Sequence, residues 1–341
     1  MIESLRWLDY PSNVKTQMNK IESKRARRRC SQKTMANDNN NLNVNINDVA
    51  LILEGGGMRA SYTAGAVVTL LENNFNFGDV YGISAGSSHA VNYVSRDTVR
   101  TKMSFVDLVS DPEFGGLKTF VQGKGFFNAH HLYEGVAEVP NAYDSRFLFD
   151  WDTFCANPAN VHIEALDRDT GETVLWTKSD MQSAHEMMLR VRASSTMPIF
   201  MPPTVIEGHT YMDGGLGSSW GIPLEAAKRD GYERFFIVRT QEKGYRKSPI
   251  GGAGQLLFKT AFRKYPAVWQ KTIERSQHYN ELCEEIERLE KSGAAYVFYP
   301  EEMTLTNRTT DLELLQTAYD TGYAQAQHEL DTWQKWLQWQ P

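Results

Sequence analysis

The sequence predicts an α/β fold in which three layers (helix, sheet and helix) stack around a mainly parallel central sheet. Two observations support this class. Short apolar segments of strand length alternate along the chain with segments of helical pattern, as expected when helices cover both faces of a parallel sheet. Hydrophobic residues make up 41% of the 341-residue chain, which is enough for a substantial core.

Composition divides the chain into three parts. Residues 1–47 form a leader, in which residues 1–34 carry nine basic and three acidic side chains and residues 37–47 are rich in asparagine. We expect this leader to be disordered, although its basic run could contact anionic lipid or nucleic acid. Residues 48–240 are predicted to form a catalytic core. Residues 241–341 are predicted to form a helical extension, with one added strand, that packs on this core.

A glycine run follows the first predicted strand. The apolar segment 49–53 leads through Glu54 into the run Gly55-Gly56-Gly57-Met58-Arg59, and a helix is expected over 59–72. A strand, glycine loop and helix in this order turn successive backbone N–H groups toward one point. This geometry suits an oxyanion hole, in which such groups stabilise a tetrahedral intermediate. Arg59 either supports a bound anion or orders the loop through an ion pair.

Nucleotide binding is the competing interpretation of the glycine run. A phosphate-binding loop requires a Lys-Ser/Thr pair, which the run lacks. A dinucleotide-binding loop requires an acidic residue about 20 positions further on, after a second strand. Gly55, Gly57 and Ala60 fit the small-residue spacing, but Glu72 lies within or just after the helix. We favour the oxyanion interpretation and keep nucleotide binding as an alternative.

The second strand leads into a nucleophile-type turn. A strand over 80–83 runs into Gly82-Ile83-Ser84-Ala85-Gly86, and a helix is expected over 85–95. In a Gly-x-Ser-x-Gly turn the serine occupies a sharp bend, and the glycines allow a strained backbone and close packing. The helix N-terminus beside Ser84 favours negative charge that develops there. Ser84 is therefore the candidate nucleophile.

A carboxylate suited to act as a base follows a later strand. Asp213 comes after a short strand over 209–212 and before Gly214-Gly215, which lets the backbone approach a partner closely. A serine nucleophile needs a base within hydrogen-bond reach, and a carboxylate can serve when its surroundings raise its pKa. A Ser-Asp-His triad is the rival arrangement. Only His278 and His328 follow Asp213, and both lie in charge-rich helical stretches where a triad histidine is not expected.

The other predicted elements complete the fold. Residues 104–150 form an irregular, aromatic-rich segment that we expect to be a lid or cap at the mouth of the site. The remaining predictions are a hairpin of strands at 161–166 and 173–176, helices at 183–192 and 223–228, strands at 234–239 and 295–300, and helices at 254–264, 266–291 and 311–337.

Taken in order, these motifs resemble those of the bacterial patatin-like phospholipases. That family combines a Gly-Gly-Gly-x-Arg/Lys loop, a Gly-x-Ser-x-Gly elbow, an Asp-Gly-Gly/Ala turn and a small-residue segment running into prolines, here 193–203. The resemblance covers residues 49–240, and Ala60 stands where the family often has glycine. It implies a patatin-like fold and a Ser–Asp dyad, with Ser84 as nucleophile and Asp213 as general base. It also implies a phospholipid or other acyl ester as substrate.

The predicted activity is acyl-ester hydrolysis without a metal or cofactor. A noncatalytic lipid-binding regulatory protein is an alternative from a different class. The candidate residues are the catalytic pair Ser84 and Asp213, the oxyanion loop Gly55, Gly56, Gly57, Met58 and Arg59, and the elbow and turn glycines Gly82, Gly86, Gly214 and Gly215.

Location and partners are predicted from what the chain lacks. No apolar run reaches the length of a membrane span, and residues 1–30 have no hydrophobic signal-peptide region. Three widely spaced cysteines argue against a disulfide framework and for a reducing, cytoplasmic compartment. Basic and apolar residues alternate over 243–275, and tryptophans cluster near the C-terminus. Both segments could contact a membrane surface, although packing on the sheet is favoured. No nucleic-acid partner is expected.

Overall fold

The structure, a computed structural model, describes residues 42–135 and 145–338. Eight strands in these residues form one sheet. The strands are β1 Ala50–Leu53, β2 Asp79–Gly82, β3 Asn160–Asp167, β4 Thr173–Thr177, β5 Thr204–Ile206, β6 His209–Asp213, β7 Phe235–Val238 and β8 Ala295–Phe298.

The described residues also contain ten α-helices and several short helical turns. The helices are α1 Ala60–Glu72, α2 Ala85–Val94, α3 Thr98–Met103, α4 Leu117–Val121, α5 Trp151–Ala156, α6 Ala184–Ser194, α7 Leu224–Arg229, α8 Gly252–Ala261, α9 Pro266–Ser292 and α10 Leu312–Leu337. The 3-10 turns are Gly57–Arg59, Asp107–Ser110, Ser145–Phe147, Lys178–Asp180 and Gly214–Leu216, and a π-helical turn spans His131–Gly135.

The sheet is mixed and mostly parallel. Its order is β5-β6-β3-β2-β1-β7-β8, with β4 paired to β3 outside this path. Strands β3, β2, β1, β7 and β8 run parallel to one another, whereas β4 and β6 are antiparallel to β3 and β5 is antiparallel to β6. The predicted α/β class with a mainly parallel central sheet is confirmed.

Side chains of β1 show why helices cover both faces of the sheet. Leu51 and Leu53 belong to one hydrophobic cluster, whereas Ala50 and Ile52 belong to another on the opposite face. Helices α1, α2 and α10 contribute to the first cluster, and α7 and α9 to the second. Since strand residues alternate between faces, the continuously apolar β1 requires this two-sided cover. The result is the expected three-layer arrangement.

Strand register brings the predicted site residues to one edge of the sheet. Leu53 pairs with Gly82, so the loops that follow β1 and β2 leave the sheet side by side. Gly82 also pairs with Ile163 of β3, and two residues further along β3, Ala165 pairs with Asp213. Asp213 is therefore level with Ser84, which lies two residues beyond Gly82.

The C-terminal helix packs closely on the first helix. A Cβ atom added to Gly65 of α1 would lie 2.2 Å from the backbone nitrogen of Tyr323, and one added to Gly322 would lie 2.1 Å from the carbonyl oxygen of Tyr62. Both glycines are therefore required by the close approach of α1 and α10. Further along α10, the buried Trp333 packs edge-on against aromatic side chains of the sheet. Of the C-terminal tryptophans, Trp339 lies outside the described residues.

Three details differ from the predictions. Strand β5 was not expected, because its three residues are too few to show an alternating pattern, and the short helices α3, α4 and α5 were not predicted either. Residues 42–47 were assigned to the disordered leader, but Ile46 is buried and bridges to Phe77. The side-chain oxygen of Asn45 accepts a hydrogen bond from the amide of Asn76 at 2.9 Å, which fixes the segment further. Residues 1–41, which hold the rest of the leader, lie outside the described residues.

The third difference concerns the cysteines. Cys30 lies outside the described residues, Cys283 is free and buried, and Cys155 is disulfide-bonded. The prediction of unpaired cysteines was therefore wrong for Cys155, because distance along the sequence does not fix distance in the fold. The inference of a reducing compartment from these cysteines loses its basis. Among the described helices, none combines the length and the apolar character needed to span a bilayer.

Candidate active site

The turn that carries Ser84 is strained and tightly packed. Ser84 has φ 55° and ψ −125°, a conformation that side-chain-bearing residues rarely adopt. A Cβ atom on Gly82 would lie 2.3 Å from the carbonyl oxygen of Gly86, and one on Gly86 would lie 2.1 Å from that of Leu53. Both glycines are thus needed for the bend and for its contact with β1. The bend holds the Ser84 hydroxyl out at the end of β2, directly before α2.

Asp213 lies within hydrogen-bond distance of Ser84. The Ser84 hydroxyl donates to Oδ2 of Asp213 at 2.9 Å, and the amide of Gly215 donates to Oδ1 at 2.7 Å. Asp213 is only 5% exposed. Burial raises the pKa of Asp213 above its ordinary value, while Arg275 and the two hydrogen bonds oppose the rise. A carboxylate whose pKa is raised in this way is a better proton acceptor than an exposed one.

Some backbone amides of the glycine loop already donate hydrogen bonds to carbonyl oxygens, and others do not. Gly55 donates to the carbonyl of Gly221 at 2.9 Å, and Met58 donates to that of Asn307 at 3.2 Å. Within the described residues, the amides of Gly56 and Gly57 have no acceptor, nor has that of Ala85 at the start of α2. The expectation that Gly55 and Met58 supply donors is therefore corrected, because backbone carbonyls already occupy both amides.

Gly57 is the loop position whose conformation most requires glycine. Its φ is +57°, and an added Cβ atom would lie 2.3 Å from the carbonyl oxygen of Asn307. Asn307 belongs to the C-terminal region, between β8 and α10. The glycine loop is thus held by a segment that follows the predicted catalytic core in the sequence.

Arg59 faces the space beside Ser84 and has no carboxylate partner in the described part of the chain. No described acidic side chain lies within ion-pair distance of its guanidinium, and its Nε is buried without an acceptor. Burial lowers the pKa of Arg59, and Glu54 opposes this shift. The interpretation that Arg59 orders the loop through an ion pair therefore has no support among the described residues.

A buried ion pair that the sequence analysis did not predict supports the glycine loop. Nε of Arg239 contacts Oε2 of Glu54 at 2.8 Å, the Thr240 amide donates to the same oxygen at 2.7 Å, and the Tyr279 hydroxyl donates to Oε1 at 2.5 Å. Burial pushes the pKa of Glu54 up, but Arg239 and Lys247 outweigh it and leave the pKa below its usual value. The network ties the end of β1 to β7 and α9.

Ser194, in the small-residue segment before the prolines, supports the serine turn. Its hydroxyl oxygen accepts from the Ser84 amide at 2.9 Å, and the same hydroxyl donates to the carbonyl of Glu164 at 2.6 Å. A small hydroxyl side chain at this position therefore links the turn to β3. The sequence suggested a family feature here but not this role.

None of the eight histidines, all of which are described, lines the space around Ser84. His278 stacks on Trp220 and contacts Glu281 at 2.9 Å on the surface of α9. His209 contacts Asp167 at 3.0 Å. Burial lowers the pKa of His89 to about 4, so His89 is neutral at pH 7. In this structure no histidine is positioned to form a triad with Ser84 and Asp213.

Ser84 lies between two cavities of opposite character. One is largely apolar. Its lining includes Phe105, Leu108 and Phe127 from 104–135, Met188 and Val191 of α6, and Met201 after α6. The other is polar and contains Asp213, the glycine loop, Arg59, Lys247 and Arg275. The segment 104–150 thus contributes walls to the apolar cavity, whereas its movement as a lid stays a prediction.

The part of the chain that carries this site matches a known family. The family model described as "Patatin-like phospholipase" matches residues 51–228, which is more than half of the chain. The chain belongs to the patatin-like phospholipase family. This is a family of lipid acyl hydrolases, and the matched range contains Ser84, Asp213 and the glycine loop. A second model, for a domain of unknown function, matches residues 265–338, which include α9, β8 and α10.

Individual relatives add little about activity. The chain is 28% identical over 198 residues to the uncharacterized protein YjjU of Escherichia coli (strain K12), a match that covers 56% of this chain. The matched region spans about half of that relative, 52% of its length. Among solved structures, VipD from Legionella pneumophila matches 84% of this chain and 67% of its own, with 14% identity and a TM-score of 0.42.

Proposed function

We propose that this protein is a serine acyl-ester hydrolase of the phospholipase A type, with Ser84 as nucleophile and Asp213 as general base. The proposal rests on the 2.9 Å hydrogen bond from the Ser84 hydroxyl to the buried Asp213 carboxylate. A serine hydroxyl is a weak nucleophile until a neighbouring base accepts its proton. Asp213 is positioned for this, and burial raises its pKa.

The reaction follows from the donors and acceptors at the site. The Ser84 oxygen attacks the ester carbonyl carbon as its proton passes to Asp213, and the resulting oxyanion accepts hydrogen bonds from the amides of Gly56, Gly57 and Ala85. The C–O bond to the alcohol then breaks, and the alcohol leaves with the proton from Asp213. Water then attacks the acyl-enzyme as its proton passes to Asp213. The C–O bond to Ser84 breaks, the fatty acid is released, and Asp213 returns the proton to the Ser84 oxygen. Two or three backbone donors are a common oxyanion arrangement.

The two cavities support a lipid-like ester as substrate. An acyl chain fits the apolar cavity, where Phe105, Leu108 and Val191 offer no polar side-chain atoms. The alcohol part of the ester fits the polar cavity on the other side of Ser84. A substrate with both an apolar and a polar half is therefore favoured over a small neutral ester. Peripheral contact with a membrane stays a prediction.

The division into a core over 48–240 and an extension over 241–341 also stays a proposal. The matched family range supports the first part, and the separate match over 265–338 supports the second. The Asn307 carbonyl accepts a hydrogen bond from the Met58 amide, and β8 pairs with β7 in the sheet. We therefore expect the core to depend on the extension for stability.

The decisive experiment combines turnover with covalent labelling. Hydrolysis of p-nitrophenyl esters of graded chain length is measured for wild type, Ser84→Ala and His278→Ala, and mass spectrometry maps the site of fluorophosphonate labelling. We expect Ser84→Ala to lose activity and labelling, and His278→Ala to keep both. Activity that survives in Ser84→Ala, or labelling at another serine, would contradict the proposal. Loss of activity in a folded His278→Ala would favour a triad instead.

A further inference from the structure

Three cationic side chains line the polar cavity beside Ser84. Arg59 follows the glycine loop, Lys247 lies in the segment after β7, and Arg275 lies on α9. Lys247 and Arg275 both fall outside the range matched by the patatin-like family model, and Arg275 falls inside the second matched range. The C-terminal region therefore contributes two of the three positive charges next to the candidate nucleophile.

No carboxylate of the described residues lies within ion-pair distance of these three charges, although Glu54 and Asp213 attract them from further away. Glu54 is engaged by Arg239, Thr240 and Tyr279, and Asp213 by Ser84 and Gly215. The Nε atoms of Arg59 and Arg275 are both buried and have no acceptor in the described part of the chain. Among the described residues, the Lys247 ammonium group contacts aromatic rings and no carboxylate, since its Nζ lies 3.4 Å from the centre of the Tyr279 ring.

Burial and mutual repulsion both disfavour positive charge on these side chains. Burial is the largest cause of the low pKa of Lys247, which lies well below its usual value. The positive charges of Arg275, Arg59 and Arg239 lower this pKa further, whereas Glu54 raises it. Arg275 likewise lowers the pKa of Arg59. Buried groups of like charge persist in proteins mainly where a ligand or partner compensates them. The cavity is open beside Ser84, so a compensating anion can enter it from the substrate side.

We propose that Arg59, Lys247 and Arg275 form a subsite for a phosphate-type anionic group on the polar half of the acyl ester, so that the C-terminal region selects acidic over neutral substrates. The identification of the anion as part of the substrate rests on the proposed function. Guanidinium groups present paired N–H donors that match phosphate oxygens, and lysine adds a point charge. An anion bound here lies in the same cavity as Ser84 and Asp213.

The binding test does not depend on hydrolysis. Isothermal titration with glycerol 3-phosphate and with inorganic phosphate is carried out on wild type, Lys247→Gln and Arg275→Gln. The matched control is Lys243→Gln, which removes an exposed lysine four residues from Lys247 that pairs with Glu290 at 3.0 Å. We expect roughly tenfold weaker binding in each cavity variant, the scale of one charge-assisted hydrogen bond, and no change in the control. Wild-type affinity in both cavity variants would overturn the subsite.

The turnover test separates a lipid headgroup from free phosphate. The ratio of kcat/KM for dioleoyl phosphatidic acid to that for dioleoylglycerol is measured in micelles of one neutral detergent. We expect this ratio to fall about tenfold in Lys247→Gln and in Arg275→Gln, and to keep its wild-type value in Lys243→Gln. Weaker phosphate binding with an unchanged ratio would overturn the headgroup assignment. If wild type hydrolyses neither ester, the proposed function fails, whereas the titration still decides whether the cavity binds anions.

Discussion

Replacing Asp213 with asparagine separates the chemistry of this carboxylate from its packing. Asparagine has nearly the same shape, so its side-chain oxygen can still accept from Gly215, as Oδ1 does now at 2.7 Å. Its NH₂ group then faces the Ser84 oxygen, which lies 2.9 Å from Oδ2 in the native protein. That hydrogen bond is reversed in direction, and the Ser84 hydroxyl loses its proton acceptor.

The expected effect on rate is large and that on stability is small. Losing a general base costs about 100- to 10,000-fold, so we expect kcat/KM to fall by roughly 1000-fold. This corresponds to roughly 4 kcal/mol of lost transition-state stabilisation. Burial raises the pKa of Asp213, so its ionised carboxylate disfavours folding. This cost is absent below the pKa of Asp213 in the unfolded chain, where the group is protonated in both states. It appears as the pH rises through the pKa of Asp213 in the folded protein. Asparagine removes that cost, and the free energy of unfolding at pH 7 should equal or exceed that of wild type.

The assay is ester hydrolysis over a pH series, paired with urea unfolding at pH 7. The acid limb of the wild-type profile should lie above the ordinary pKa of aspartate and should vanish in Asp213→Asn. Asp167→Asn is the matched control, since Asp167 is also buried in the sheet but contacts His209 instead of Ser84. A rate within about tenfold of wild type in Asp213→Asn would refute its role as base. A marked loss of stability in that variant would refute the argument from burial.

Three further predictions concern the surroundings of the site. Glu54→Gln leaves the charge of Arg239 buried without its partner, and the free energy of unfolding from urea titration should fall by about 3–5 kcal/mol. Gly65→Ala places a Cβ atom 2.2 Å from a backbone nitrogen of α10, and calorimetry should show destabilisation of about 1–3 kcal/mol. In the control Gly252→Ala the added Cβ atom meets open space, and no such destabilisation is expected. Val191→Phe narrows the apolar cavity, and the ratio of octanoate to acetate ester hydrolysis should fall about tenfold.

Local motifs explain which parts of the site could be predicted from sequence. The serine turn, the glycine loop and the Asp213 turn each require glycine within a few residues, and such requirements are visible along the chain. The observed positive φ of Ser84 and Gly57 agrees with them. Seven of the eight described strands and the long helices were also predicted within a few residues, because continuous apolar strands and amphipathic helices leave a clear pattern.

Contacts made across the fold left no such pattern. Arg239 and Tyr279 lie far from Glu54 in sequence, and nothing in their neighbourhood indicates a buried ion pair. Lys247 and Arg275 were included in the stretch 243–275, for which packing on the sheet was favoured over membrane contact, because spacing alone cannot distinguish a charge facing solvent from one facing a cavity. The occupied amide of Met58 depends on Asn307, which belongs to an irregular segment with no motif. Tertiary packing decides each of these cases.

The placement of Ser84 at the boundary of two unlike cavities has a consequence for the order of events in turnover. The apolar cavity includes Ser84 but not Asp213, whereas the polar cavity includes both. If the proposed hydrolysis takes place here, the acyl chain and the alcohol occupy separate compartments after cleavage, and the alcohol can depart while the acyl chain stays in place. The departing alcohol vacates the compartment that Asp213 faces, so the incoming water arrives beside its base. On the proposed mechanism the fatty acid is the last product to leave, and we expect its release to limit turnover for long chains.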